Sequence, residues 1–75
     1  MKRDKGSITH ILIIGAGNGG SAVLDLIARK SDIAITGVVD KNETARGMVL
    51  AKQLNSPTSG DASEFLKKKT DIVIN

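Results

Sequence analysis

The chain has no cysteine, no tryptophan and no tyrosine, and Phe65 is the single aromatic residue among 75. Without cysteine there is no disulfide, no thiolate metal ligand and no thiol nucleophile. Without aromatic platforms the basic clusters Lys2-Arg3-Lys5 and Lys67-Lys68-Lys69 lack the stacking partners of a nucleic-acid face, and no nucleic-acid partner is expected. No apolar run reaches the length of a membrane span. The charged N-terminus is not followed by the long apolar segment of a secretory signal, so a cytoplasmic protein is expected. His10 is the only histidine, and with no Cys, His or carboxylate at ligand spacing it points to a strand end rather than a metal. The core must be aliphatic. A chain of this length buries only about 60% of the surface that it exposes when unfolded.

One stretch dominates what is present. The apolar run Ile8 to Ile14, interrupted by His10, fits a central parallel strand covered on both faces. It stops at Gly15-Ala-Gly17-Asn18-Gly19-Gly20, a G-x-G-x-x-G turn. Gly15 allows the sharp turn, Gly17 leaves room for a pyrophosphate, and Gly20 lets a helix approach the strand. The helix is expected from Ser21 to Lys30, with Val23/Ile27 and Leu24/Ala28 on one face, Asp25 in solvent, and Arg29 and Lys30 complementing its dipole.

A second strand is expected over Ile33 to Val39, with Gly37 marking a close backbone approach. Asp40 ends it, at the distance from the turn where an acidic side chain meets the ribose hydroxyls of an adenine dinucleotide. Asp40 repels a 2′-phosphate and Lys41 beside it softens that repulsion; NAD is expected over NADP. Asn42 caps a helix from Glu43 to Leu54, whose inner stripe is Gly47, Leu50, Ala51 and Leu54, flanked by Met48. A very short strand is expected at Ser56 to Thr58, beside the only proline, Pro57. Asp61-Ala-Ser-Glu64 has the form of a capping box for a short helix that buries Phe65 and Leu66. The last strand is Asp71 to Asn75.

The order β-α-β-α-β-α-β predicts an incomplete Rossmann-type α/β/α layering with a parallel sheet ordered 3-2-1-4. A polar tail over 1–7 precedes a half-domain over 8–75, expected to be a fragment of a longer protein. The candidate cofactor-binding residues are Gly15, Gly17, Asn18, Gly19, Gly20, Asp40 and Lys41. No catalytic constellation is visible, since Ser7 and Ser21 lack a base. The chain alone is expected to catalyse nothing. The outer edge of strand 71–75 is expected to be bare and to promote homo-oligomers.

The glycine turn, Val38-Val39-Asp40, the helix end Ala51 to Leu54 and Thr70-Asp-Ile-Val-Ile-Asn75 together resemble the N-terminal NAD(P)-binding portion of glucose–fructose oxidoreductase and inositol dehydrogenase-type enzymes. Dihydrodipicolinate reductase-like proteins are a looser match. The resemblance implies a nicotinamide cofactor and hydride transfer by a parent enzyme. It departs from many fingerprints at Leu24, where Gly or Ala is common, and looser helix–strand packing is expected there. Two alternatives stay open: a sensory module that reports an adenine ligand to a signalling partner, and a structural remnant without ligand.

Overall fold

The computed structural model describes residues 7–75. The basic cluster at Lys2, Arg3 and Lys5, and the expected tail except Ser7, lie outside them. The element order is β1 (Thr9–Ile14), α1 (Asn18–Ile27), β2 (Ile33–Val39), α2 (Arg46–Gln53), β3 (Thr58–Ser59), a 3-10 helix (Ala62–Phe65) and β4 (Ile72–Ile74). The strands form one parallel sheet in the order β3-β2-β1-β4, the expected half of a Rossmann-like fold. Among the described residues no helix is long and apolar enough to cross a membrane.

β1 sits between β2 and β4 and is buried on both faces over Ile11 to Ile13, as the apolar run from Ile11 to Ile14 requires. Ile11 and Ile13 face α1 and α2 and form the main core with Ala16, Leu24, Val38, Met48 and Ala51. Leu12 points the other way and packs with Val39 and Phe65. The two α-helices thus cover one face of the sheet, and the 3-10 helix covers part of the other.

The register between β1 and β2 slips once. Ile11 pairs with Ile35, but Leu12 pairs with Gly37, so Thr36 is an extra residue in β2. A bulge of this kind reverses the facing of every later side chain. Ile33 and Ile35 pack on the helix side, and so does Val38, while Val39 faces Phe65. Thr36 itself is buried, and its hydroxyl donates to the Lys69 carbonyl at 2.7 Å.

Several boundaries differ from expectation. α1 starts three positions early, because the glycine turn supplies its first turn: the Ser21 N–H donates to the Gly17 carbonyl at 2.8 Å. It ends at Ile27, beyond which Ala28, Arg29 and Lys30 are exposed. Arg29 therefore lies outside the helix, 3.7 Å from Asp25. Leu24 does not loosen the packing. It is fully buried at the centre of the core.

α2 begins only at Arg46. Asn42 does not cap it, because its side-chain oxygen accepts from the Thr44 N–H at 2.9 Å and from the Thr44 hydroxyl at 2.7 Å. Such an Asx-type turn competes with helix, and it delays the first helical residue. Gly47, Met48 and Ala51 form the buried stripe, and Leu54 is largely exposed. β3 lies just past Pro57, whose carbonyl accepts from the Val38 N–H at 2.9 Å. As an edge strand, β3 tolerates a preceding proline.

The Asp61 carboxylate caps the 3-10 helix by accepting from the Ser63 N–H at 2.9 Å. The reciprocal half of the box comes from elsewhere, since the Asp61 N–H donates to the Ser59 hydroxyl at 3.0 Å. Leu66 is 79% exposed and buries nothing. Lys67 to Lys69 lie in the turn beyond the helix. At the opposite end of the sheet, the His10 N–H donates to the Asp71 carboxylate at 2.8 Å and the Asp71 N–H donates to the His10 carbonyl at 2.7 Å. These bonds fix the start of β4 beside β1. No group of potential metal ligands occurs among the described residues.

Candidate functional site

The site lies at the C-terminal edge of the sheet, where β1 and β2 end together. Gly15 leaves β1 with φ +92°, a conformation that L side chains rarely adopt. Its N–H donates to the Val39 carbonyl at 2.8 Å, so the turn starts as an extension of the β1–β2 ladder. Gly20 crosses directly over this point. A Cβ at Gly20 would fall on the Gly15 carbonyl oxygen, which is the close helix–strand approach assigned to the third glycine of the motif.

Gly17, Asn18 and Gly19 are exposed at the head of α1. No side chain caps this helix and no acidic residue lies in its first turn. The N–H groups of Asn18, Gly19 and Gly20 precede the first intrahelical hydrogen bond and have no acceptor within the helix. They stand at the positive end of the helix dipole, an arrangement suited to an anion. A side chain at Gly17 or Gly19 would meet open space. These positions therefore face away from the core.

Ala16 is fully buried beneath the turn and tied on both sides. Its N–H donates to Asp40 Oδ2 at 2.7 Å, and its carbonyl accepts from the Gly47 N–H at 2.7 Å. Asp40 Oδ1 accepts from the Asn42 N–H at 2.8 Å. The hydrogen bonds from Asn42 and then Ala16 hold the Asp40 carboxyl below the usual aspartate value. Each oxygen still has a lone pair for a further donor.

Asp40 also lines an open cleft of about 430 Å³, with Ile14, Gly15, Val39, Lys41, Gly60, Asp61 and Ala62. The structure thus brings Gly15, Asp40 and Lys41 into one cleft and sets Gly17, Asn18 and Gly19 on the adjoining helix start. Gly20 lies beneath, as a packing residue. Sequence reasoning missed Gly60, Asp61 and Ala62 as cleft walls. Asp61 was legible only as a cap, and nothing in its local pattern signals that the segment after β3 borders the end of β2. Asp61 is likewise held below the usual aspartate value, by the Ser63 N–H and hydroxyl.

No protein-family model matches the chain, and no solved structure matches it at a significant level. Among curated proteins, the chain is similar to acetaldehyde dehydrogenases from Burkholderia pseudomallei strains 668 and 1106a, at 30% identity over 69 residues in each case. The acetaldehyde dehydrogenase of Burkholderia thailandensis is 29% identical over 69 residues. Each alignment covers 92% of this chain and 23% of the relative, so the chain spans less than a quarter of the length of these dehydrogenases.

Proposed function

We propose that this chain is an NAD(P)-binding module, the cofactor-binding part of a cytoplasmic oxidoreductase, and that it does not catalyse hydride transfer by itself. The observation that carries the reading is the meeting of an uncapped, uncharged helix start with a cleft ended by Asp40. The first suits a pyrophosphate, and the second suits the ribose hydroxyls of the adenosine half. Similarity to part of a dehydrogenase favours the oxidoreductase over a sensory module or a ligand-free remnant. A nicotinamide cofactor supplies or accepts the hydride. The residues of this chain bind and orient its adenosine and phosphate end. The finer resemblance to the glucose–fructose oxidoreductase and inositol dehydrogenase type belongs to this proposal, and a dehydrogenase acting on an aldehyde is an equal expectation from the similarity.

The test is calorimetric titration with NAD, NADH, NADP and NADPH, on the parent and on Gly17→Val. A side chain at position 17 meets no protein atom within 4 Å, so the variant should fold with its helical content intact and lose dinucleotide binding. Undiminished binding by Gly17→Val would remove the turn as the phosphate site. Failure of all four cofactors to bind the parent would remove the function.

A further inference from the structure

We propose that Asp40 is the positioning residue of the glycine turn: its carboxylate latches the buried Ala16 N–H, and so fixes the following N–H groups in the orientation that an anion requires. The geometry is direct. Ala16 immediately precedes Gly17, the residue from which α1 starts. Its two main-chain polar groups are both committed, the N–H to Asp40 and the carbonyl to Gly47 at the head of α2. The turn is therefore clamped between the end of β2 and the start of α2. The Asp40 side of this clamp is a single charged acceptor, itself held by the Asn42 N–H. Charge-assisted hydrogen bonds of this kind are the stronger class. An unlatched Ala16 N–H would be a buried, unsatisfied donor, which the turn could relieve only by moving.

The consequence goes beyond ribose recognition. A carboxylate that only read ribose hydroxyls would leave ribose-free anions untouched when removed. A carboxylate that holds the turn affects every phosphate ligand. The charged groups sharing its cleft are Lys41 and Asp61. The ligand half of the inference rests on the dinucleotide reading, whereas the latch itself does not.

The test uses the ¹⁵N-labelled chain and Asp40→Asn. The amide is the same size but can accept only one of the two N–H groups and opposes a donor to the other. Thr36→Val serves as control, because it removes a buried hydrogen bond to the Lys69 carbonyl away from the turn. In the parent, the amide protons of Ala16 and Asn42 should shift together with one midpoint on acidification, below the usual aspartate value. In Asp40→Asn that titration should vanish, and Ala16 amide exchange should accelerate about tenfold or more. Thr36→Val should retain both signatures. The affinities for ADP and for inorganic pyrophosphate should both fall by about tenfold in Asp40→Asn.

An Ala16 amide indifferent to acid, or unchanged exchange in Asp40→Asn, would overturn the latch. Loss of ADP affinity with pyrophosphate affinity intact would reduce Asp40 to a ribose reader and overturn the positioning role. If neither probe bound the parent, the dinucleotide reading would fall, and the amide titration would still decide the latch.

Discussion

The Phe65 ring lies over Gly37 so closely that its Cζ is 2.5 Å from where a Cβ of residue 37 would stand. This contact closes the smaller core, with Leu12 and Val39, on the face of the sheet away from the α-helices. Gly37→Ala should displace the ring and cost about 1–3 kcal/mol, as overpacking does. Phe65→Ala should cost about 3–5 kcal/mol. In the Phe65→Ala background the Gly37→Ala penalty should largely disappear, since the two residues share one contact. Urea unfolding of the four proteins measures the coupling, and additive losses would show that the contact does not limit residue 37.

Acid should destabilise the fold through three aspartates. Asp40, Asp61 and Asp71 are each held below the usual value, chiefly by N–H groups of Asn42, Ser63 and His10 respectively. A carboxyl whose pKa is depressed on folding contributes stability that is complete above its unfolded value, about 3.9. That contribution is lost as pH falls through the folded value. Thermal melting should therefore be insensitive to these groups near neutrality and fall steeply below about pH 4. Asp71→Asn should flatten that fall. An unchanged acid profile in the variant would exclude Asp71 from it.

The cleft should discriminate against a second phosphate on the ribose. Asp40 and Asp61 both line it, against the single cation Lys41. NAD(H) should bind about tenfold or more tightly than NADP(H), or about 1.4 kcal/mol. Asp40→Ser should narrow the ratio while weakening both, because the substitution also releases Ala16. Direct comparison of dissociation constants checks this, and equal affinities in the parent would count against it.

β4 should promote association. It pairs with β1 on one side and with no strand of the described residues on the other. Ile72 and Val73 are about half exposed along it. An apolar edge of this kind recruits further strands. Light scattering should show concentration-dependent oligomers in the parent and fewer in Val73→Lys, and a monomeric parent at high concentration would refute the edge as an interface.

The larger order was written in local chemistry. The glycine turn, the apolar run before it and Asp40 announced a parallel β-α-β unit, and the strand order follows from right-handed crossovers. Where prediction slipped, short side chains rebuilt the backbone locally. Asn42 engages Thr44 instead of a helix end, and Ser59 takes the donor meant for Glu64. Such competitions between near neighbours differ by little free energy and leave no periodic signal. The cleft walls at Gly60 and Ala62 were illegible for another reason: they reach the site through strand pairing at a distance along the chain.

The extra residue in β2 acts as a parity device. In an uninterrupted ladder from Ile33, side chains at odd positions would share one face, and Val38 and Asp40 would turn away from Ile33 and Ile35. The bulge at Thr36 leaves that residue out of the count, so that Val38 enters the helix-side core and Asp40 arrives where Ala16 waits. Straightening the bulge with Thr36 kept would preserve every motif and every spacing, yet send the acidic group to the wrong side of the sheet, whereas a chain lacking Thr36 would keep the same pairs in a regular ladder. Chains that carry the same glycine turn and the same acid at the same spacing, but lack the bulge between them, therefore need not build the same site.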